Sequence, residues 1–139
     1  MQRVIEFEKG RSYNCKASAL SPIVYNKLFP GRDFIKDMRE LAEKRAEKDD
    51  EKDFTIEDYQ YFVNIAYLFV YQGMSPSPKQ TPEQKEFLEK YPNPWYWVDT
   101  FDTFSIYENL DKIVEMWVTN EDRLASAKNP VPAPPAKST

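Results

Sequence analysis

The chain has no histidine, one cysteine and three glycines among its 139 residues. Without histidine there is no Ser/His/Asp or Cys/His triad, no imidazole general base and no HExxH metal helix. Cys15 alone cannot close an intramolecular disulfide or build a thiolate metal cage, so nothing ties folding to an oxidising compartment. The glycines, at 10, 31 and 73, each fall at an expected turn or helix end, which leaves none for a phosphate-cradling loop. Long apolar runs are also missing. The longest, Tyr61 to Tyr71, is interrupted by Asn64 and is about half of the ~20 residues that a membrane span requires. Arg3, Glu6, Glu8 and Lys9 stand where the apolar centre of a signal peptide would lie, so a cytoplasmic protein is expected.

Basic charge is in short supply as well. Lys and Arg number 19 against 23 Asp and Glu, for a formal charge of -4, and no basic face stands out to receive a phosphate backbone. Nucleic acid and membrane are therefore not expected partners. A chain of this length buries roughly two-thirds of its unfolded surface, which suits one domain with one core. What the sequence does have is aromatic residues, at 15%.

Alternation over Val4 to Glu8, a turn at Lys9-Gly10 and renewed alternation through Tyr13, Cys15 and Ala17 predict a β-hairpin. An isolated hairpin is marginal in water, so its apolar face must lie on the helices that follow. Ser21-Pro22 predicts a helix start with Ser21 as N-cap, and Pro30-Gly31 a stop. A second helix begins near Asp33, with Phe34, Ile35, Met38, Leu41 and Ala42 forming one stripe and Ala46 at its end. Residues 44–53 are almost wholly ionic and read as a frayed end plus a solvated loop.

Thr55 with Asp58 predicts a capping box opening a helix from Ile56 to Gln72, closed by Gly73. Tyr59, Phe62, Val63, Ala66, Phe69 and Val70 share one face, while Tyr61, Ile65, Leu68 and Tyr71 fill much of the other, so this helix is expected at the centre. Ser75-Pro76-Ser77-Pro78 is a connector. Thr81-Pro82-Glu83-Gln84 opens a further helix presenting Phe87 and Leu88, and Pro92 ends it. Asn93-Pro94 repeats the start signal. Phe104, Tyr107, Leu110, Ile113, Val114 and Trp117 then recur at helical spacing, so that Trp95 to Trp117 is either one helix or two broken near Asp102. The sum is a mainly α fold: an N-terminal β-hairpin followed by a compact bundle of about four to six helices. It forms a single domain over 1–125 with a charged loop at about 47–54, followed by a disordered Pro-rich tail over 126–139.

Candidate chemistry is thin. Asp49, Asp50, Glu51 and Asp53 cluster carboxylates as a hard cation requires, but Lys48 and Lys52 interrupt them and the glycine of an EF-hand turn is missing. Asp99, Asp102 and Glu108 could serve as an acid–base pair, although carboxylates in an acidic helical protein usually face water. No catalytic, cofactor or metal residues are assigned. The anomaly is Trp95-Tyr96-Trp97, which on a helix spreads over roughly 200° and cannot all enter one core. It reads either as part of a large aromatic core or as an adhesive surface, because Trp and Tyr are enriched at interface hot spots.

A short hairpin (Val4-Ile5-Glu6-Phe7, Gly10-Arg11-Ser12-Tyr13), a charged helix ending near Lys48, a central aromatic helix (Asp58 to Tyr71), a proline-rich connector, a Trp-containing segment and a terminal helix around Ile113 to Trp117 follow in order. This layout, over about residues 3–120, resembles the tail assembly chaperones of long-tailed phages and prophages of Gram-positive bacteria. The resemblance lies in order and spacing. It implies a non-enzymatic, mostly helical protein of the bacterial host cytoplasm, absent from the mature virion. Such a protein coats and solubilises the tape measure protein and is displaced as major tail protein polymerises. A longer form made by frameshifting is common in such families. Expected partners are thus the tape measure protein and the major tail protein, with self-association left open. A chaperone of an amphipathic helix needs an apolar groove, and the candidate partner-binding residues are Tyr61, Tyr71, Met74, Trp95, Trp97 and Met116. The alternative is a small acidic helical adaptor or inhibitor that occludes a partner's site, which the acidic C-terminal third (Asp99, Asp102, Glu108, Asp111, Glu115, Glu121, Asp122) favours.

Overall fold

A computed structural model describes residues 1–46 and 54–128, with 118–128 as backbone alone. Two antiparallel strands, β1 (Gln2–Glu8) and β2 (Arg11–Lys16), are followed by six helices: α1 (Ser21–Leu28), α2 (Phe34–Ala46), α3 (Ile56–Gln72), α4 (Pro82–Lys90), α5 (Pro94–Val98) and α6 (Ile106–Lys128). The expected mainly α fold with an N-terminal hairpin is what forms. The charged loop, apart from Phe54, and the cluster at Asp49, Asp50, Glu51 and Asp53 lie outside the described residues. So does the tail from 129 onward, while the backbone of 126–128 continues α6.

The hairpin turns at Gly10, whose φ of 83° is a left-handed conformation that glycine adopts without a Cβ clash. Its register sets Ile5 opposite Tyr13 and Arg3 opposite Cys15, so that Ile5, Phe7, Cys15 and Ala17 share the buried face. That face rests on α3, the central helix, which packs against α1, α2, α4, α5, α6 and β2. Phe62, Ile65, Ala66, Leu68, Phe69 and Val70 of α3 are wholly or almost wholly buried.

Local signals at the helix starts form as the sequence predicts. Thr55 and Asp58 make a reciprocal capping box on α3, Thr81 and Gln84 another on α4, and the Asn93 side chain accepts from the Trp95 and Tyr96 amides. Trp95 to Trp117 is two helices, parted by residues 99–105. Glu8 holds this break: its Oε1 accepts from the Asp102 and Thr103 amides at 2.7 and 2.8 Å. From the other side of the hairpin turn, Arg11 donates to the Thr100 carbonyl and hydroxyl at 2.8 Å and lies 3.7 Å over the Phe101 ring.

Two local expectations, at Ser21 and Tyr107, are corrected, and a third, the close of α3 at Gly73, holds for an added reason. The N-cap of α1 is Leu20, not Ser21, because the Ser21 hydroxyl is drawn inward and donates to Gln72 Oε1 at 2.6 Å. Gly73 closes α3 as expected, with an ordinary φ of -65°, and what demands glycine there is space: a Cβ would stand 1.8 Å from the Asn14 carbonyl oxygen. Tyr107 leaves the buried stripe of α6 and is 68% exposed, its place being taken by Ile106.

Candidate functional site

The six candidate partner-binding residues do not share one surface. Trp97 and Met116 are fully buried and are therefore corrected to core residues. Trp97 is the hub of the core, with Phe7, Tyr13, Phe101 and Phe104 rings at centroid distances of 5.3–5.6 Å and Tyr67 and Phe87 slightly farther. Its indole N–H donates to the Tyr13 hydroxyl at 3.2 Å. Tyr61 is half-buried under the Arg32 guanidinium, and Tyr71 and Met74 are half-buried at the far end of α3. Twelve residues separate Tyr59 from Tyr71, about 18 Å along the helix, so the two ends of α3 belong to different surfaces. Only Trp95 is exposed, at 68%.

Around Trp95 a continuous apolar face does form. One groove, of about 360 Å³, is lined by Ile56, Tyr59, Gln60, Val63, Trp95, Val98 and Asp99. A second, of about 410 Å³, runs on from it through the shared Ile56 and Tyr59 to Phe54, Ile106 and Tyr107. Ile56 is 81% exposed, and Tyr96 beside Trp95 is 59% exposed. Local rules explain why these side chains stand together. Ile56 follows the N-cap immediately and is off the buried stripe of α3, while Phe54 and Tyr59 occupy the flanking positions of a hydrophobic staple. Phe54 packs edge-on against Tyr107 at 4.8 Å, joining the start of α3 to the start of α6. Ile56 and Tyr107, which the sequence reading left out, were detectable as large apolar residues within the first turn of a capped helix.

The charge of this face has one sign. Residues 54–60 and 93–108 contain Glu57, Asp58, Asp99, Asp102 and Glu108 and no Lys or Arg. Asp58 is buried in its capping box and is met by Lys44 at 3.7 Å; the other four are exposed. Arg11 faces the same loop but is held on Thr100 and Phe101.

A larger cavity, about 680 Å³, lies elsewhere, between α1, the end of α3 and the proline-rich connector. Its inner wall is a satisfied structural network: besides the Ser21–Gln72 bond, Gln84 Nε2 donates to the Tyr71 carbonyl at 2.8 Å. Buried ionisable groups are likewise structural. Asp37 accepts from the Tyr25 hydroxyl at 2.7 Å and from Arg32 at 2.6 and 3.2 Å. Burial, then the Asp37 carboxylate, pushes the Tyr25 phenol well above its ordinary range, and burial lifts the Cys15 thiol to about 12. A thiol held protonated in this way is a small hydrophobe, not a nucleophile.

Among the described residues no group of three or more Asp, Glu or Cys is placed to hold a metal ion, and no helix is long and apolar enough to cross a membrane. No family model, curated protein or solved structure matches the chain. The chemistry on offer at the exposed face is adhesion through large apolar and aromatic side chains.

Proposed function

We propose that this protein is a non-enzymatic chaperone of phage tail assembly that binds and solubilises the tape measure protein in the host cytoplasm and helps recruit major tail protein. The observation that carries this reading is the face formed by the exposed Ile56, Trp95 and Tyr107 around the half-buried Tyr59, on a domain whose core is already closed around Trp97. Large apolar groups left in water beside a complete core mark a binding surface. The order and spacing that resemble tail assembly chaperones supply the identity of the partner. On this reading the protein leaves as the tail tube polymerises and is absent from the finished virion.

Co-expression with a tape measure fragment tests it: the fragment stays soluble and co-purifies with the wild-type chain, and is insoluble alone. A fragment equally soluble without this protein contradicts the reading. The four exposed carboxylates around the face favour a second reading, an acidic adaptor that occludes a basic site on a partner. Binding by that adaptor collapses as salt rises, whereas binding carried by apolar contact persists.

A further inference from the structure

The grooves on either side of Ile56 and Tyr59 form an apolar floor with an acidic border: Asp99 lines one groove, and the exposed Glu57, Asp102 and Glu108 each adjoin a lining residue in sequence. The floor is Phe54, Ile56, Tyr59, Trp95, Val98 and Tyr107. The first turn of α3 carries Glu57, and the stretch from α5 to the first turn of α6 carries Asp99, Asp102 and Glu108. Of the described cations around it, Lys44 meets Asp58, Arg45 meets Asp111 and Glu115, Arg11 is held on Thr100, and Lys112 stands one turn beyond Glu108 on α6, past the end of the grooves. An apolar floor recognises the apolar stripe of an amphipathic helix, and an acidic border discriminates by the charges that flank that stripe.

From this we infer that the groove is selective: it takes an amphipathic helical segment whose apolar stripe is flanked by Lys or Arg and rejects one flanked by Asp or Glu. The inference deepens the proposed function and rests on its reading of the protein as a binder of helical segments, naming the site and the partner's charge pattern. Exposed ion pairs are individually weak, so the apolar floor supplies most of the affinity and the acidic border supplies the preference.

The test uses the full chain and two synthetic helical peptides with the same Leu stripe, one flanked by Lys and one by Glu. Binding is read by the emission of Trp95, whose exposed indole shifts to the blue when covered, and by calorimetry. The Lys-flanked peptide is expected to bind about five-fold tighter or more at low salt, the preference shrinking toward unity at about 1 M salt. Asp99→Lys with Glu108→Lys is expected to abolish or reverse the preference, and Ile56→Glu to weaken both peptides about ten-fold or more. Because Ile56, Asp99 and Glu108 are exposed, an unchanged unfolding curve shows that each variant still folds. Equal binding of the two peptides, or a preference untouched by the Asp99→Lys/Glu108→Lys pair, overturns the inference. A tape measure fragment bound equally by wild type and Ile56→Glu also overturns it while leaving the chaperone function standing. Selective peptide binding with no binding of that fragment does the reverse.

Discussion

Trp95 and Trp97 stand two positions apart on α5 and point to opposite sides of it, Trp95 being 68% exposed and Trp97 fully buried. Two helical steps rotate a side chain by roughly 200°, so one indole enters the aromatic core and the other is left on the apolar face. Substituting them separates stability from binding. Trp97→Ala is expected to cost about 3–5 kcal/mol, because it empties the centre of a packed ring cluster. Trp95→Ala is expected to change stability by less than about 0.5 kcal/mol while weakening partner binding. Urea unfolding measures the first effect, and titration with a tape measure fragment the second.

Gly73 and Asn14 make a second paired test. A Cβ at Gly73 falls 1.8 Å from the Asn14 carbonyl oxygen, and the Asn14 side chain donates to the Gly73 carbonyl at 3.0 Å. Gly73→Ala therefore pushes β2 away from the end of α3, at an expected cost of about 1–3 kcal/mol. Gly10→Ala meets no neighbour, and its cost of about 1–2 kcal/mol comes from positive φ alone. Hydrogen exchange distinguishes the two: Gly73→Ala loosens the β2 amides that face α3, whereas Gly10→Ala loosens the hairpin turn.

Asp37 is the acceptor for a buried phenol. Asp37→Ala leaves the Tyr25 hydroxyl without that partner and releases Arg32, and a loss of about 1–3 kcal/mol in urea unfolding is expected. Tyr25→Phe together with Asp37→Ala is expected to cost less than the sum of the two single changes, since no orphaned hydroxyl remains.

Alkaline pH probes the interior. Burial raises the Cys15 thiol from 9.0 to about 12, and burial with Asp37 raises Tyr25 in the same direction. A raised pKa means that the folded state favours the protonated form. Its contribution is complete below about pH 9 and is lost as pH climbs toward 12. Cys15→Ala is expected to lose less stability than wild type across that window in denaturant titrations, and the native thiol to be inert to a disulfide reagent at about pH 8 until the protein unfolds. A thiol that reacts promptly in the native protein contradicts its burial.

Much of the fold was legible because its signals are local. Thr55 with Asp58, Thr81 with Gln84, and Asn93 with Pro94 announce helix starts within three residues, and the hairpin declares itself by alternation around Gly10. Ser21 was misread as a cap because its role depends on Gln72, 51 residues away; Gly73 does close α3 as expected, but the close approach of Asn14, 59 residues away, is not visible in the local sequence. The site was less legible. Helical spacing places Met116 beside Ile113 and Trp117 and marks it as core, but which of Trp95, Tyr96 and Trp97 turns outward depends on where α3 and the hairpin lie. The apolar face itself joins the starts of α3 and α6, about fifty residues apart in sequence, and no local pattern announces that meeting.

The central claim is that the face built by Ile56, Tyr59, Trp95 and Tyr107 holds the partner. Its most direct test is co-expression of a tape measure fragment with wild type and with Ile56→Glu/Trp95→Ala, followed by separation of soluble and insoluble fractions. The fragment is expected in the soluble fraction with wild type, and in the pellet with the variant, although the variant itself remains folded and soluble. A fragment kept soluble equally well by the folded variant contradicts the claim.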